Sequence, residues 1–316
     1  MGSPTISKSP SSHATGTQTK EEAMESRQDL VLVTGVTGKQ GGAIARELVA
    51  KGVRVRGMTR HPESDAARAM QKLGVEIVAG DFDDETSIRR ALVGAWGAYS
   101  VQNTWEVGVE REEEQGKRFA KLAREAGIQH LVYSSVASAH RQTGIPHFEN
   151  KWRIEQTIRD LGFPTHVVLR PVFFMENLAS PSFLPAIQQG QLAVGMEPTT
   201  VLQMIAVQDI GKYGAWAFDK HRELNGRGLD IAGDQLTMPE TAKLISAAAR
   251  HPVEFVRVPT EQVRAFSADF AMMLEWFDRT GYNADIAAKS RESGVRPTPF
   301  KDWAAHAPWK APVAAS

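Results

Sequence analysis

The sequence predicts an α/β protein, a doubly wound parallel sheet followed by a smaller C-terminal lobe. Three observations carry that expectation. Six short apolar runs rich in branched residues alternate with helical patterns between residues 30 and 169, the rhythm of strand–helix–strand units with right-handed crossovers. The first run opens directly into a glycine-rich turn and a helix, the setting in which such a turn has chemical meaning. From Pro171 onward the alternation breaks.

The opening unit spans residues 29–52. Leu30-Val31-Leu32-Val33 is too short for a buried helix and suits a central strand covered on both faces. Gly35, Gly38 and Gly41 follow at three-residue intervals, then Ile44, Leu48 and Val49 at helical spacing. Glycines let the main chain approach a pyrophosphate, while the free N–H groups of the helix start face the anion. Thr37, Lys39 and Gln40 lie inside the same turn. The unit therefore reads as a Rossmann-type dinucleotide site.

Residues 53–59 read as the second strand, 65–73 as a helix, and 75–78 as a third strand ending at Gly80-Asp81-Phe82-Asp83. A helix over 85–93, a strand over 98–101 and a helix over 110–125 follow; the charges of the last most simply mark a solvated face. Residues 130–134 form the fifth strand, 152–161 the core of a helix, and 164–169 the sixth strand. Beyond them Pro171, Pro181, Pro185 and Pro198 interrupt an apolar stretch containing Phe173, Phe174, Met175, Phe183 and Leu184. This stretch is either the roof of a ligand cleft or a hydrophobic cover over the sheet. Regular patterns return over 207–218, 228–231, 237–249 and 254–258. The division expected is a disordered tail (1–28), a cofactor-binding domain (29–170), and a region (171–316) that is mainly a substrate lobe interleaved with the last sheet elements.

Composition narrows the function classes. Among 316 residues, 37 basic side chains balance 37 acidic ones, so no global field draws nucleic acid or an anionic membrane. Seven tryptophans are scattered without a basic groove, which argues against stacking on nucleic-acid bases. There is no cysteine, hence no disulfide, thiolate metal site or cysteine nucleophile. His130, His140 and His166 lack metal-ligand spacing and read as ordinary surface or strand residues; no metal is expected. No apolar run is long enough to span a bilayer. The Ser- and Thr-rich tail lacks the apolar centre of a secretory signal. A cytoplasmic protein is the expectation.

Cofactor choice should be made at the end of the second strand, where NAD-selective sites carry an acid for the ribose hydroxyls. Here stand Thr59 and Arg60, with no acid before Glu63. A guanidinium pairs with phosphate, so Arg60 favours the 2′-phosphate of NADP(H), with Lys39 as a second charge; the plain alternative is a surface arginine opening a loop. Asp81 could accept from the adenine amino group beside Phe82, while Asp83 and Asp84 suit the start of the next helix.

Taken together, the motifs resemble one family. The run 34–42, the Gly80-Asp81-Phe82-Asp83 turn, Tyr133-Ser134-Ser135, His147-Phe148-Glu149-Asn150-Lys151, Leu169-Arg170-Pro171, Phe174-Met175-Glu176-Asn177 and Asp209-Ile210-Gly211 occur in the order seen in NmrA-like proteins. These form an atypical branch of the short-chain dehydrogenase/reductase superfamily, and the similarity runs from about Asp29 to Trp309. It implies a Rossmann domain with a small C-terminal lobe, NADP(H) as cofactor, Pro171 and Phe173 beside that cofactor, and Phe174 and Asn177 facing substrate. The family includes redox-sensing regulators as well as reductases.

One departure from the superfamily is informative. Its typical members carry Tyr-x-x-x-Lys on this helix, the phenol donating a proton and the lysine holding the nicotinamide ribose. Lys151 occupies the lysine position, but His147 replaces the tyrosine. Imidazole can donate or accept a proton near neutrality, so His147 either replaces the phenol or is a plain helix-start histidine. Ser134, Ser135 and Ser138 lie where the superfamily's substrate-polarising hydroxyl would sit, with Ser135 the candidate, although aligning the strand end places that role nearer Val136; Gln102, Asn103 and Thr104 should meet the nicotinamide ribose. The leading reading is an NADPH-dependent reductase of a small carbonyl, imine, enone or quinone. The rival is an NADP(H) sensor with little catalysis and a regulatory protein partner. A homodimer stays open, and a nucleotide-sugar epimerase is disfavoured because its chemistry relies on the missing tyrosine.

Overall fold

The computed structural model describes residues 29–309; the tail expected to be disordered lies outside the described residues. The six expected strands are β1 (Leu30–Thr34), β2 (Arg54–Thr59), β3 (Glu76–Ala79), β4 (Gly97–Ser100), β5 (His130–Ser134) and β6 (Thr165–Pro171). The chain then runs through β7 (Phe173–Phe174), β8 (Gln191–Val194) and β9 (Val201–Ile205) before returning as β10 (Gly228–Ile231). Seven strands pair in parallel in the order β10-β6-β5-β4-β1-β2-β3. The strand order reverses between β1 and β4, which opens a crevice at their carboxyl ends. This is the doubly wound α/β fold the sequence predicts.

Helices cover both faces. α1 (Lys39–Ala50), α2 (Asp65–Lys72), α3 (Glu85–Leu92), α4 (Thr104–Val107), α5 (Val109–Glu125) and α6 (Pro146–Asp160) follow the first five strands; α7 (Leu184–Gln188) and α8 (Val207–Asp219) come after β7 and β9. On one face α8 lies against α1 at glycine contacts: a Cβ at Gly211 would sit 2.7 Å from the Ala43 carbonyl oxygen, and one at Gly214 would collide with Ile44. On the other, Ile88, Phe119 and Ile154 pack on Leu32, Leu131 and Tyr133. Residues 207–231 thus belong with the sheet and not with the lobe.

The lobe has its own apolar core, including Phe173, Met175, Leu192, Leu202, Met238, Leu274 and Phe300. β9 pairs parallel with β7 and antiparallel with β11 (Asp234–Thr237), and β12 (Glu254–Arg257) pairs with β8. Around them lie α9 (Met238–Ala249), α10 (Thr260–Phe266), α11 (Ala268–Arg279), α12 (Ile286–Ser293) and α13 (Phe300–Ala304). Among the described residues no helix is long and apolar enough to cross a membrane.

Candidate cofactor and active site

The glycine turn brings main chain close to main chain. Gly35 has φ +59, and a Cβ on Gly41 would collide with the carbonyl oxygens of Thr34 and Gly35. Helix α1 starts at Gly38 with no side-chain cap and no acidic residue in its first turn, so its first N–H groups are left for an outside acceptor. Lys39 sits at the rim, its Nζ 3.5 Å from the Glu176 carbonyl oxygen. The Gln40 side chain turns inward, accepting from Ser134 Oγ at 2.6 Å and from the Tyr99 hydroxyl at 3.4 Å. Of Gln40, it is therefore the main-chain N–H that can serve a ligand. Thr37 Oγ1 stands 3.5 Å from Thr59 Oγ1, at the mouth between β1 and β2.

At the end of β2 the Arg60 guanidinium is exposed and holds the carboxylate of Glu106 on α4. An anion already reaches it there. Asp81 is turned toward its own loop, accepting from the Asp83 N–H at 2.9 Å. The Phe82 ring packs edge-to-face on Phe119 at 5.8 Å, so it supports the sheet from behind. Asp83 departs from the expectation of a helix start: Asp84 caps α3, whereas Asp83 receives Arg111 at 2.7 Å, Gln115 at 3.0 Å and Arg118 at 3.2 Å from α5. Burial pushes the Asp83 carboxyl up, but those donors outweigh it and hold it below the ordinary value.

Beyond β4 the site becomes buried and polar. The Gln102 side-chain amide donates from Nε2 to Ser100 Oγ at 3.0 Å, and its carbonyl Oε1 is buried with no hydrogen-bond partner among the described residues. Asn103 caps the short helix α4. The solvated-face reading of α5 fails at Glu112, which is fully buried. Its carboxylate accepts from Lys151 Nζ at 2.5 Å, from Asn150 Nδ2 at 2.8 Å and from Thr104 Oγ1. Burial would raise this carboxyl; the Lys151 ammonium and the three hydrogen bonds win, and it lies below its ordinary value. Lys151 therefore spends one of its donors on Glu112.

His147 sits in the first turn of α6, at the carboxyl edge of the sheet, one turn before Lys151. It is buried. Its Nδ1 is bonded to the Asp269 carboxylate of α11, and its ring lies 5.1 Å from Trp105 of α4 and 4.8 Å from Phe148. Among the described residues no hydrogen-bond partner stands at Nε2. Ser135 Oγ, at the end of β5, is buried with no hydrogen-bond partner among the described residues.

The roof residues divide. Phe173 is buried in the lobe core and, with Phe270 and Leu274, lines a small apolar cavity of about 10 Å³, room for about one water. Phe174 packs against the sheet core instead. Pro171 accepts from the Ala137 N–H through its carbonyl at 3.0 Å, and Asn177 lies in the short turn Met175–Asn177. Its neighbour Glu176 is committed to structure, accepting from the Val207 N–H at the start of α8 and from Trp303 Nε1, both at 3.0 Å; burial raises its carboxyl.

Sequence reasoning missed Glu112, Trp105, Glu106 and Asp269. Only Glu112 left a signal, since it shares a helical stripe with Gly116, Phe119 and Ala123. Among the described residues no group of three or more metal-ligating side chains occurs. An uncapped acid-free helix start, a guanidinium at the β2 end and an orphaned buried carbonyl beyond β4 suit a dinucleotide lying across the crevice.

The family model for the NmrA-like family matches residues 27–304. The chain belongs to the NmrA-like family. Among curated proteins it is similar to the NmrA-like family domain-containing oxidoreductase FrzB of a Cladobotryum species, 35% identical over 167 residues, covering 49% of this chain and 50% of FrzB. This NmrA-like chain thus spans about half the length of that relative in the match. Many solved structures share its fold. Triphenylmethane reductase of a Citrobacter species, complexed with NADP(H), superposes with a TM-score of 0.74 at 18% identity, covering 89% of this chain and 100% of its own. NmrA, a negative transcriptional regulator in complex with NAD, gives 0.73 at 19% identity over 89% and 95%.

Proposed function

We propose that this NmrA-like protein is an NADPH-dependent oxidoreductase that reduces a small carbonyl, imine, enone or quinone. The observation that carries the reading is the placement of His147: buried, at the carboxyl edge of the sheet, one turn from Lys151, with Nε2 free of hydrogen-bond partners among the described residues. When bound, the reduced nicotinamide supplies a hydride. The turn from Gly35 to Gly41 would hold the pyrophosphate, Arg60 the 2′-phosphate, and Gln102 and Lys151 the nicotinamide ribose. His147 would hold the proton that the reduced atom of the substrate requires, with Trp105 excluding water on one side. The naming of FrzB as an oxidoreductase and of the Citrobacter structure as a reductase supports turnover.

The test is NADPH oxidation over a panel of aldehydes, ketones, imines, enones and quinones, followed by His147→Ala on the best substrate. Positioned acid catalysis contributes about 10²–10⁴-fold, so kcat should fall by that range while NADPH affinity stays intact. NADPH binding without oxidation of any substrate would favour the second reading, an NADP(H) sensor. One observation supports that reading: the Lys151 ammonium is already engaged by the buried Glu112 carboxylate.

A further inference from the structure

We propose that Asp269 is a positioning residue that fixes which nitrogen of His147 faces the substrate; this deepens the reductase reading and rests on it. Helix α6 lacks a side-chain cap, having Ile145 as its N-cap and Pro146 in its first turn. A carboxylate from the lobe, 122 residues away, serves instead. Asp269 Oδ2 accepts the main-chain N–H of His147 at 3.2 Å, and Oδ1 is bonded to Nδ1 of the same residue. Its own helix does not need it, because Ser267 caps α11 by accepting from the Phe270 N–H at 3.2 Å.

The chemical consequence follows from the donor inventory. An ionised carboxylate only accepts, so the proton of a neutral imidazole must sit on Nδ1, and Nε2 must present a lone pair. Anchoring to the main chain as well as to the ring fixes the carboxylate, so the ring cannot flip without losing a bond. Neutral His147 is therefore a base toward the substrate, and only its protonated form, with the Asp269 charge beside it, donates from Nε2. Trp105 and Phe148 enclose the ring, and the Asp269 side chain is only 19% exposed, so water competes little for the pair. A helix cap alone would require the bond to the main chain and nothing at Nδ1.

Long-range ¹H–¹⁵N spectra of the ¹⁵N-labelled full chain report histidine tautomers directly, with His147 identified by its loss in His147→Gln. The expected result for neutral His147 is an Nδ1-protonated ring. Asp269→Asn, whose amide can donate to Nδ1, should move it toward the Nε2-protonated form and lower kcat at least about tenfold, with Kd for NADPH changed less than about twofold. Asp269→Glu, which keeps the carboxylate, should hold the Nδ1-protonated form. An Nε2-protonated ring in the parent, or a tautomer unmoved by Asp269→Asn, overturns the proposal. Should Asp269→Asn not fold, the parent spectrum alone decides. Absence of turnover would sink the reductase reading while leaving the tautomer result standing.

Discussion

Replacing Lys151 by methionine would remove the ammonium while keeping an aliphatic stem of similar reach. Glu112 would then stay fully buried with only Asn150 and Thr104 as donors. A buried charge left without its partner costs about 3–5 kcal/mol. A carboxyl has an escape, which is to take up a proton. From its ordinary value of 4.5, that costs about 3.4 kcal/mol at pH 7 and about 0.7 kcal/mol at pH 5, at about 1.36 kcal/mol per unit. The cheaper route applies, so the variant should lose about 3 kcal/mol at pH 7 and under about 1 kcal/mol at pH 5. The parent behaves in the opposite sense. Its Glu112 carboxyl is held below the ordinary value, so the contribution is present above that value and lost as pH falls through the lowered one. Urea unfolding of both proteins at the two pH values gives the difference directly. An equal loss at pH 5 and pH 7 would refute the account, because it would mean that Lys151 contributes packing and not charge.

Three further outcomes are expected. Arg60→Ala should weaken NADP(H) binding about tenfold, the equivalent of one charge-assisted contact, and leave NAD(H) nearly unchanged in a fluorescence titration; equal losses for both would remove Arg60 from the 2′-phosphate. Gly41→Ala should abolish NADPH binding and lower the Tm, since its Cβ meets two main-chain carbonyls that cannot yield; a variant that still bound NADPH would contradict the tight turn. Burial, with His221 beside it, pushes the His130 imidazole down to about 3 from 6.5, so the unfolded chain binds the extra proton between those values and stability falls as pH drops through that window. His130→Phe should flatten that part of the stability profile, and an unchanged slope from pH 6.5 to 3 would count against the assignment.

The sheet was legible because its signals are local. Each strand is a short branched run, each crossover helix keeps its own periodicity, and the glycine turn announces the crevice within a dozen residues. The candidate site was legible only where a residue is marked by its own place in the chain, as His147, Lys151 and Arg60 are. What the sequence hides is pairing across distance. Nothing near Asp269 marks it as the partner of a histidine 122 positions earlier. The acids and bases around Glu112 disguise one buried carboxylate as part of a solvated face, although its helical phase with Phe119 betrays it. Helix α4 leaves no trace for a related reason: four residues are too few to show a period, so nothing in the sequence marks Trp105 and Glu106.

The late arrival of β10 matters most while the protein is being made. When residue 171 has left the ribosome, the sheet can hold six strands, with β6 exposed along one side as a row of unpaired N–H and C=O groups. Arg170 then has Glu155, bonded at 2.6 Å, but must wait for Asp230. About 56 residues, the roof, part of the lobe and helix α8, are synthesised before Gly228 can close that side. At about 5–20 residues per second, the bare edge lasts for several seconds, long enough for an edge strand to recruit a neighbouring chain. Slowing translation between residues 171 and 231 should therefore raise aggregation during synthesis, while the same delay placed after residue 231 should not.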